Sequence, residues 1–120
     1  MDVITIAKKM YERINRIGEL RNKLEALAID KAKYTAAAER AMAVTLIKLK
    51  QGVELKVDGR SIKNPPVTIM KEIAKGVCWE ERLNADKAEA SYKATIVNMQ
   101  ALSSELNGYQ SINKYLKDEL

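Results

Sequence analysis

Between Val3 and Gln51 the chain holds no proline and one glycine, Gly18, and apolar residues recur at heptad-like spacing through Val3, Ile6, Met10, Ile17, Leu20, Leu24 and Leu27. A run of this kind predicts one continuous amphipathic helix over about residues 3–51, with Asp2 as its cap. Ile14 and Ala28 widen the stripe. Beyond Lys31 it continues through Tyr34, Ala38 and Ala41, then drifts to Met42, Leu46 and Leu49. Drift is expected when a helix of 3.6 residues per turn carries a pattern of period 3.5. At 1.5 Å per residue such a helix is roughly 70 Å long, too long to be one side of a compact globule. A second helix must therefore run back along it.

The texture changes after Gly52, a residue suited to ending a helix. Val53, Leu55 and Val57 alternate with Glu54 and Lys56, and Asp58-Gly59 is the strongest short hairpin signal in the chain. A β-hairpin over about 53–62 follows. Two strands alone are marginal in water, so they must lean on the helices or on another chain. Asn64-Pro65-Pro66 reads as a cap followed by proline in the first helical turn, which starts a second helix over about 65–106. Its stripe runs through Val67, Met70, Ile73, Ala74 and Val77, then Ala88, Tyr92, Ile96, Met99, Leu102 and Leu106. Asn107-Gly108 is expected to end or bend that helix. Tyr109, Ile112, Leu116 and Leu120 mark a C-terminal helical segment over about 109–120. The predicted fold is a single domain over 1–120, mainly α: a long antiparallel helical hairpin, coiled-coil-like, with a short β-hairpin at its tip. A lone helical pair leaves much apolar stripe uncovered, so a homo-oligomer is expected.

Composition excludes more than it selects. Histidine is absent, which removes the commonest metal ligand and the commonest acid–base residue at neutral pH. Cys78 is the only cysteine, so neither an intrachain disulfide nor a CxxC metal site can form. The five glycines are isolated, and no Gly-rich phosphate loop is present. The expectation is a protein that is not an enzyme, with no cofactor and no metal. Met1-Asp2-Val3-Ile4 lacks a basic segment followed by an apolar one, so no secretory leader is expected. No apolar run is long enough to span a bilayer. The last four residues spell Lys117-Asp118-Glu119-Leu120, an endoplasmic-reticulum retention signal. Without a route into the secretory pathway it reads as coincidence, and a cytoplasmic location is expected.

The net charge of +5 is uneven. Residues 48–75 carry seven basic groups against three acidic ones, whereas 76–120 carry five against seven. The cations Lys48, Lys50, Lys56, Arg60, Lys63, Lys71 and Lys75 are candidates for contacting phosphates or other anions, an attraction that salt would weaken steeply. The plainer and preferred reading is a solvated surface interspersed with Glu54, Asp58 and Glu72. Val77-Cys78-Trp79-Glu80-Glu81-Arg82 is the most distinctive local cluster. Adjacent helical carboxylates point about 100° apart, so Glu80 and Glu81 do not converge on one substrate atom. Cys78 has no histidine to activate it and reads as a small buried apolar residue. Trp79 covers the β-hairpin or anchors an interface. Tyr92 and Tyr109 join it as candidate partner contacts, against the plainer reading of rings packed in a helix seam.

The Ala/Lys/Glu-rich first helix, the segment Val53–Pro66 and the helix through Cys78-Trp79-Glu80-Glu81 resemble, in size and layout, small uncharacterised proteins encoded by phages and prophages of Gram-positive bacteria. The resemblance implies a bacterial or viral cytoplasm and an accessory role. It carries over no catalytic or binding residue. The function expected is that of a non-enzymatic, oligomeric interaction protein that binds and modulates a host protein. The alternatives are a sequence-nonspecific nucleic-acid binder using the basic connector, and a sponge for a small nucleotide signal at an oligomer interface.

Overall fold

The computed structural model describes residues 2–118. Its elements, in chain order, are α1 (Val3–Lys50), β1 (Leu55–Val57), β2 (Arg60–Ile62), a 3₁₀ turn (Val67–Ile69), α2 (Met70–Val77) and α3 (Trp79–Asp118). The fold is mainly α, a long helical hairpin in which α1 and α3 are in contact, with a two-stranded antiparallel β-hairpin. Among the described residues no helix is long and apolar enough to cross a membrane. The end of the Lys117–Leu120 signature, and Leu120 as the last seam residue, lie outside the described residues.

The chain divides into two compact units. Unit 1 comprises Met1–Ala28 and Ser91–Leu120. Its first helix starts where Asp2 caps it: the Thr5 amide donates to Asp2 Oδ1 at 2.7 Å and the Ile6 amide to the Asp2 carbonyl at 3.1 Å. The Thr5 bond holds the Asp2 carboxyl below its ordinary range. Ile6 and Leu20 are buried, and Met10, Ile17, Leu24 and Leu27 are half-buried beside them. Ile14, expected in the stripe, is exposed instead. The seam of α3 in this unit passes through Tyr92, Thr95, Met99, Leu102, Leu106, Tyr109, Asn113 and Leu116, all half-buried and at strict heptad spacing. That seam explains why Asn107-Gly108 does not end the helix. Packing of Leu106, Tyr109 and Leu116 continues across the glycine, whose helical penalty is only about 1 kcal/mol.

Arg13 occupies a seam position that the apolar pattern skips. Its Nε donates to Glu105 Oε2 at 2.8 Å, its guanidinium lies 5.5 Å from the Tyr109 ring centroid, and a longer 3.5 Å ion pair reaches Glu12. The hydrogen bond to Glu105 raises the Arg13 pKa above its ordinary value. One cation held by two groups of the facing helix fits a single register, so the contact pins which turns oppose each other.

Unit 2 comprises Ile29–Ala90. Leu49, Met70 and Ala74 are buried together, with Met42, Leu46, Leu55 and Ile73 packed against them. Ala38, Thr45 and Cys78 are buried as well. Tyr34, expected on this stripe, is exposed. The end of α1 is closed by Gly52 in the left-handed conformation (φ 77), with Gly52 N–H donating to the Leu49 carbonyl at 3.2 Å and Val53 N–H to the Lys48 carbonyl at 3.0 Å. The strands pair Leu55 with Ile62 and Val57 with Arg60. Asp58 (φ 50) and Gly59 (φ 78) form the two-residue turn with both central residues left-handed, the geometry that matches the twist of a hairpin.

The second helix departs from expectation at its start. Asn64 is not a cap; it is itself left-handed (φ 50), and Pro65-Pro66 lead into a 3₁₀ turn, so α-helix begins only at Met70. A residue before proline is barred from the helical region, which pushes the start downstream. The helix is also interrupted at Cys78 (φ −96, ψ 23). The bonds Cys78 N–H to Ala74 carbonyl and Arg82 N–H to Cys78 carbonyl, each 3.0 Å, span the interruption.

Candidate functional site

The local structure of unit 2 sorts the predicted basic residues by what their neighbours need. In β1, Leu55 and Val57 are half-buried while Lys56 between them is exposed, as alternation requires. Arg60 sits across from Val57 where β2 leaves the turn and is exposed, as is Lys63 beyond the other end of the strand. Lys48 and Lys50 lie in the last turn of α1, where the helix dipole favours cations. They and Lys71 are exposed too. None of these six cations takes part in an ion pair among the described residues. Lys75 differs: it is half-buried and lies 3.6 Å from Glu72.

Trp79 opens α3 and remains 58% exposed. It does not seal the β-hairpin. It forms one wall of an open groove of about 500 Å³ whose other lining residues are Lys56, Val57, Asp58, Gly76 and Val77. The β-hairpin thus brings a cation, a carboxylate and one apolar side chain, Val57, beside the only tryptophan, and α2 adds Val77. Such a groove can hold a side chain of another molecule.

A second groove of about 450 Å³ is lined by Ala37, Arg40, Ala41, Val44, Thr45, Val77, Cys78 and Glu81. Within it Cys78 is buried, with its Sγ 3.3 Å from Thr45 Oγ1. The sulfur and hydroxyl satisfy each other, which makes the pair part of the packing. Thr45 was not marked by the apolar pattern; the signal available was a hydroxyl lodged among Met42, Leu46 and Leu49. Glu81 faces this groove, whereas Glu80 lines neither groove, as expected for adjacent carboxylates on a helix. No group of three or more metal-ligating side chains occurs among the described residues.

The aromatic candidates fall in different units. Trp79 belongs to unit 2, and Tyr92 and Tyr109 are half-buried in the seam of unit 1, where Tyr109 faces Arg13. Comparison of the chain with protein-family models, with curated proteins and with solved structures found no match.

Proposed function

We propose that this chain is a non-enzymatic interaction protein, an oligomeric accessory factor of a phage or mobile element, whose unit 2 docks on a host protein and modulates it. The observation that carries this reading is the exposure of Trp79 beside Val57 and Val77, in a groove edged by Lys56 and Asp58. A tryptophan left more than half in water is a typical anchor for a partner, because its large ring recovers hydrophobic free energy when a pocket closes over it. The test compares tagged full-length chain with its Trp79→Ala variant in lysate from a Gram-positive bacterium. The variant should keep the wild-type circular dichroism and lose a protein that the wild type retains. Identical retained proteins for both chains would overturn the reading.

A second reading draws on a separate observation, the six exposed cations of unit 2 that take part in no ion pair among the described residues. Their arrangement favours sequence-nonspecific contact with nucleic-acid phosphates. Binding to a short DNA duplex that falls steeply between low and moderate salt, and is lost in a Lys56→Glu, Arg60→Glu, Lys63→Glu variant, would support it over the protein partner.

A further inference from the structure

The face of α3 that points away from its seam in unit 1 breaks the ordinary pattern of a solvated helix. Val97, Ala101, Ser104, Gly108, Ser111 and Tyr115 lie about half a turn round the helix from the seam, and all are exposed. Val97 is 60% and Tyr115 64% exposed. The outer face of a surface helix is normally charged. Here the twenty residues from Ala94 to Asn113 contain one charge, Glu105, in a chain that is 31% charged. That one charge is committed to Arg13. The Ser111 hydroxyl is also occupied, donating to the Asn107 carbonyl at 3.1 Å. Beside Ser104 a shallow groove of about 450 Å³ opens, lined by Leu24, Ile96, Met99, Gln100 and Ser103, again without a charge.

We propose that this face is where a second copy of the chain docks, antiparallel, about a two-fold axis at Ser104. The proposal rests on the oligomeric part of the reading above and is independent of the Trp79 groove. The choice of occupant follows from charge. A nucleic acid, an anionic lipid surface or a strongly charged protein gains nothing from a face without ions. A face that is itself uncharged loses nothing by meeting it, and this protein carries one. Two copies of a +5 chain repel each other generally, and this surface lets them meet without bringing cations together.

Antiparallel pairing about Ser104 is self-complementary in size. It sets Ser104 against the partner's Ser104 and Val97 against the partner's Ser111, and brings Ala101 close to the partner's Gly108, so small residues meet at the centre and Val97 meets a small one. Small residues at the centre let two helices approach to about 8 Å. Twenty residues of helix give a contact about 30 Å long. One helix face of that length falls short of the roughly 800 Å² per partner of a standard interface, so the dimer is expected to be concentration-dependent.

The test is sedimentation velocity of the full chain over a concentration series, beside an Ala101→Glu, Ser104→Glu variant. Glutamate is a good helix former, so the variant keeps its helical signal while gathering four carboxylates around the axis. The wild type should dimerise, and the variant should raise the dissociation constant by more than about a hundredfold. Because the contact is uncharged, high salt should leave the wild-type dimer intact. A second measurement does not depend on loss of association. Ser104→Cys should cross-link to its own copy with a short bis-maleimide, whereas Asn22→Cys on α1 should not; Cys78 is buried and stays silent. A monomer at every concentration, a dimer indifferent to the two glutamates or dissolved by salt, or equal cross-linking at the two positions would each overturn the proposal. So would dissociation by Trp79→Ala, which lies in unit 2; loss of a bound protein by that variant with the dimer intact separates the two surfaces.

Discussion

Unit 1 and unit 2 are built from the same helices yet bury their residues very differently. Unit 1 is two helices packed along one seam, and among its described residues only Ile6 and Leu20 are buried. Ile4, Tyr11, Ile14, Val97, Ile112 and Tyr115 stay exposed. Unit 2 buries Ala38, Thr45, Leu49, Met70, Ala74 and Cys78. Two physical differences account for the contrast. Four of those six residues (Ala38, Thr45, Ala74 and Cys78) have small side chains, so the backbones can approach closely. The β-hairpin also adds a third element, through Leu55, to a core that two helices alone cannot enclose. A helical pair acquires a dry core only where something covers its sides, and unit 1 has nothing of its own to do so.

The largest effect expected from this contrast is at the leucines. Leu49→Ala removes a side chain that is 1% exposed inside the three-element core and should cost about 3 kcal/mol by guanidinium denaturation. Leu20→Ala, at 5% exposure in a two-helix seam that can relax, should cost about 2 kcal/mol. Equal costs would mean that the two units are equally well packed, and the contrast would fall.

Glycine substitutions sharpen it next. At Gly52 an alanine Cβ would lie 2.9 Å from Asn64 Oδ1 and would occupy a left-handed backbone, so Gly52→Ala should destabilise by about 1–2 kcal/mol. At Gly18 in unit 1 and Gly76 in unit 2 a Cβ would meet nothing within 4 Å, and alanine should stabilise by up to about 1 kcal/mol at each. Thermal unfolding of the three variants reads this directly. A neutral Gly52→Ala would show that the join between α1 and the β-hairpin does not set the geometry of unit 2.

The smallest effect belongs to the N-terminus of unit 1. Asp2 is held below its ordinary pKa by the Thr5 amide, so its stabilising charge is complete above the unfolded value of about 4 and is lost as pH falls through the lower folded value. Asp2→Asn keeps a capping oxygen but cannot titrate. The stability advantage of wild type over this variant should therefore shrink as the pH drops below about 4. An advantage constant with pH would show that the Asp2 charge does not support α1.

Much of this architecture was legible in the residues. The unbroken run from Val3, the capping Asp2, the terminating Gly52 and the Asp58-Gly59 turn all act through contacts within a few residues, and each stands in the structure where the pattern puts it. The candidate surface was legible only in part. The exposed lysines follow from strand alternation and helix ends, but the groove between Lys56 and Trp79 exists only because the β-hairpin folds against α2. Arg13 and Thr45 were invisible because an apolar stripe is found by looking for apolar residues, and their places in the packing depend on Glu105, Tyr109 and Cys78, at least thirty positions away.

By itself, then, the sequence determined whatever short-range forces decide: the helical periods, the caps, the hairpin turn and the absence of histidine chemistry. The tertiary structure decided the helix running through Asn107-Gly108, the late start at Met70, the interruption at Cys78, the pinning of register by Arg13, and the exposure of Trp79. Each depends on what a distant segment offers in packing or hydrogen bonding. Those gains exceed the roughly 1 kcal/mol by which local propensity distinguishes one residue from another.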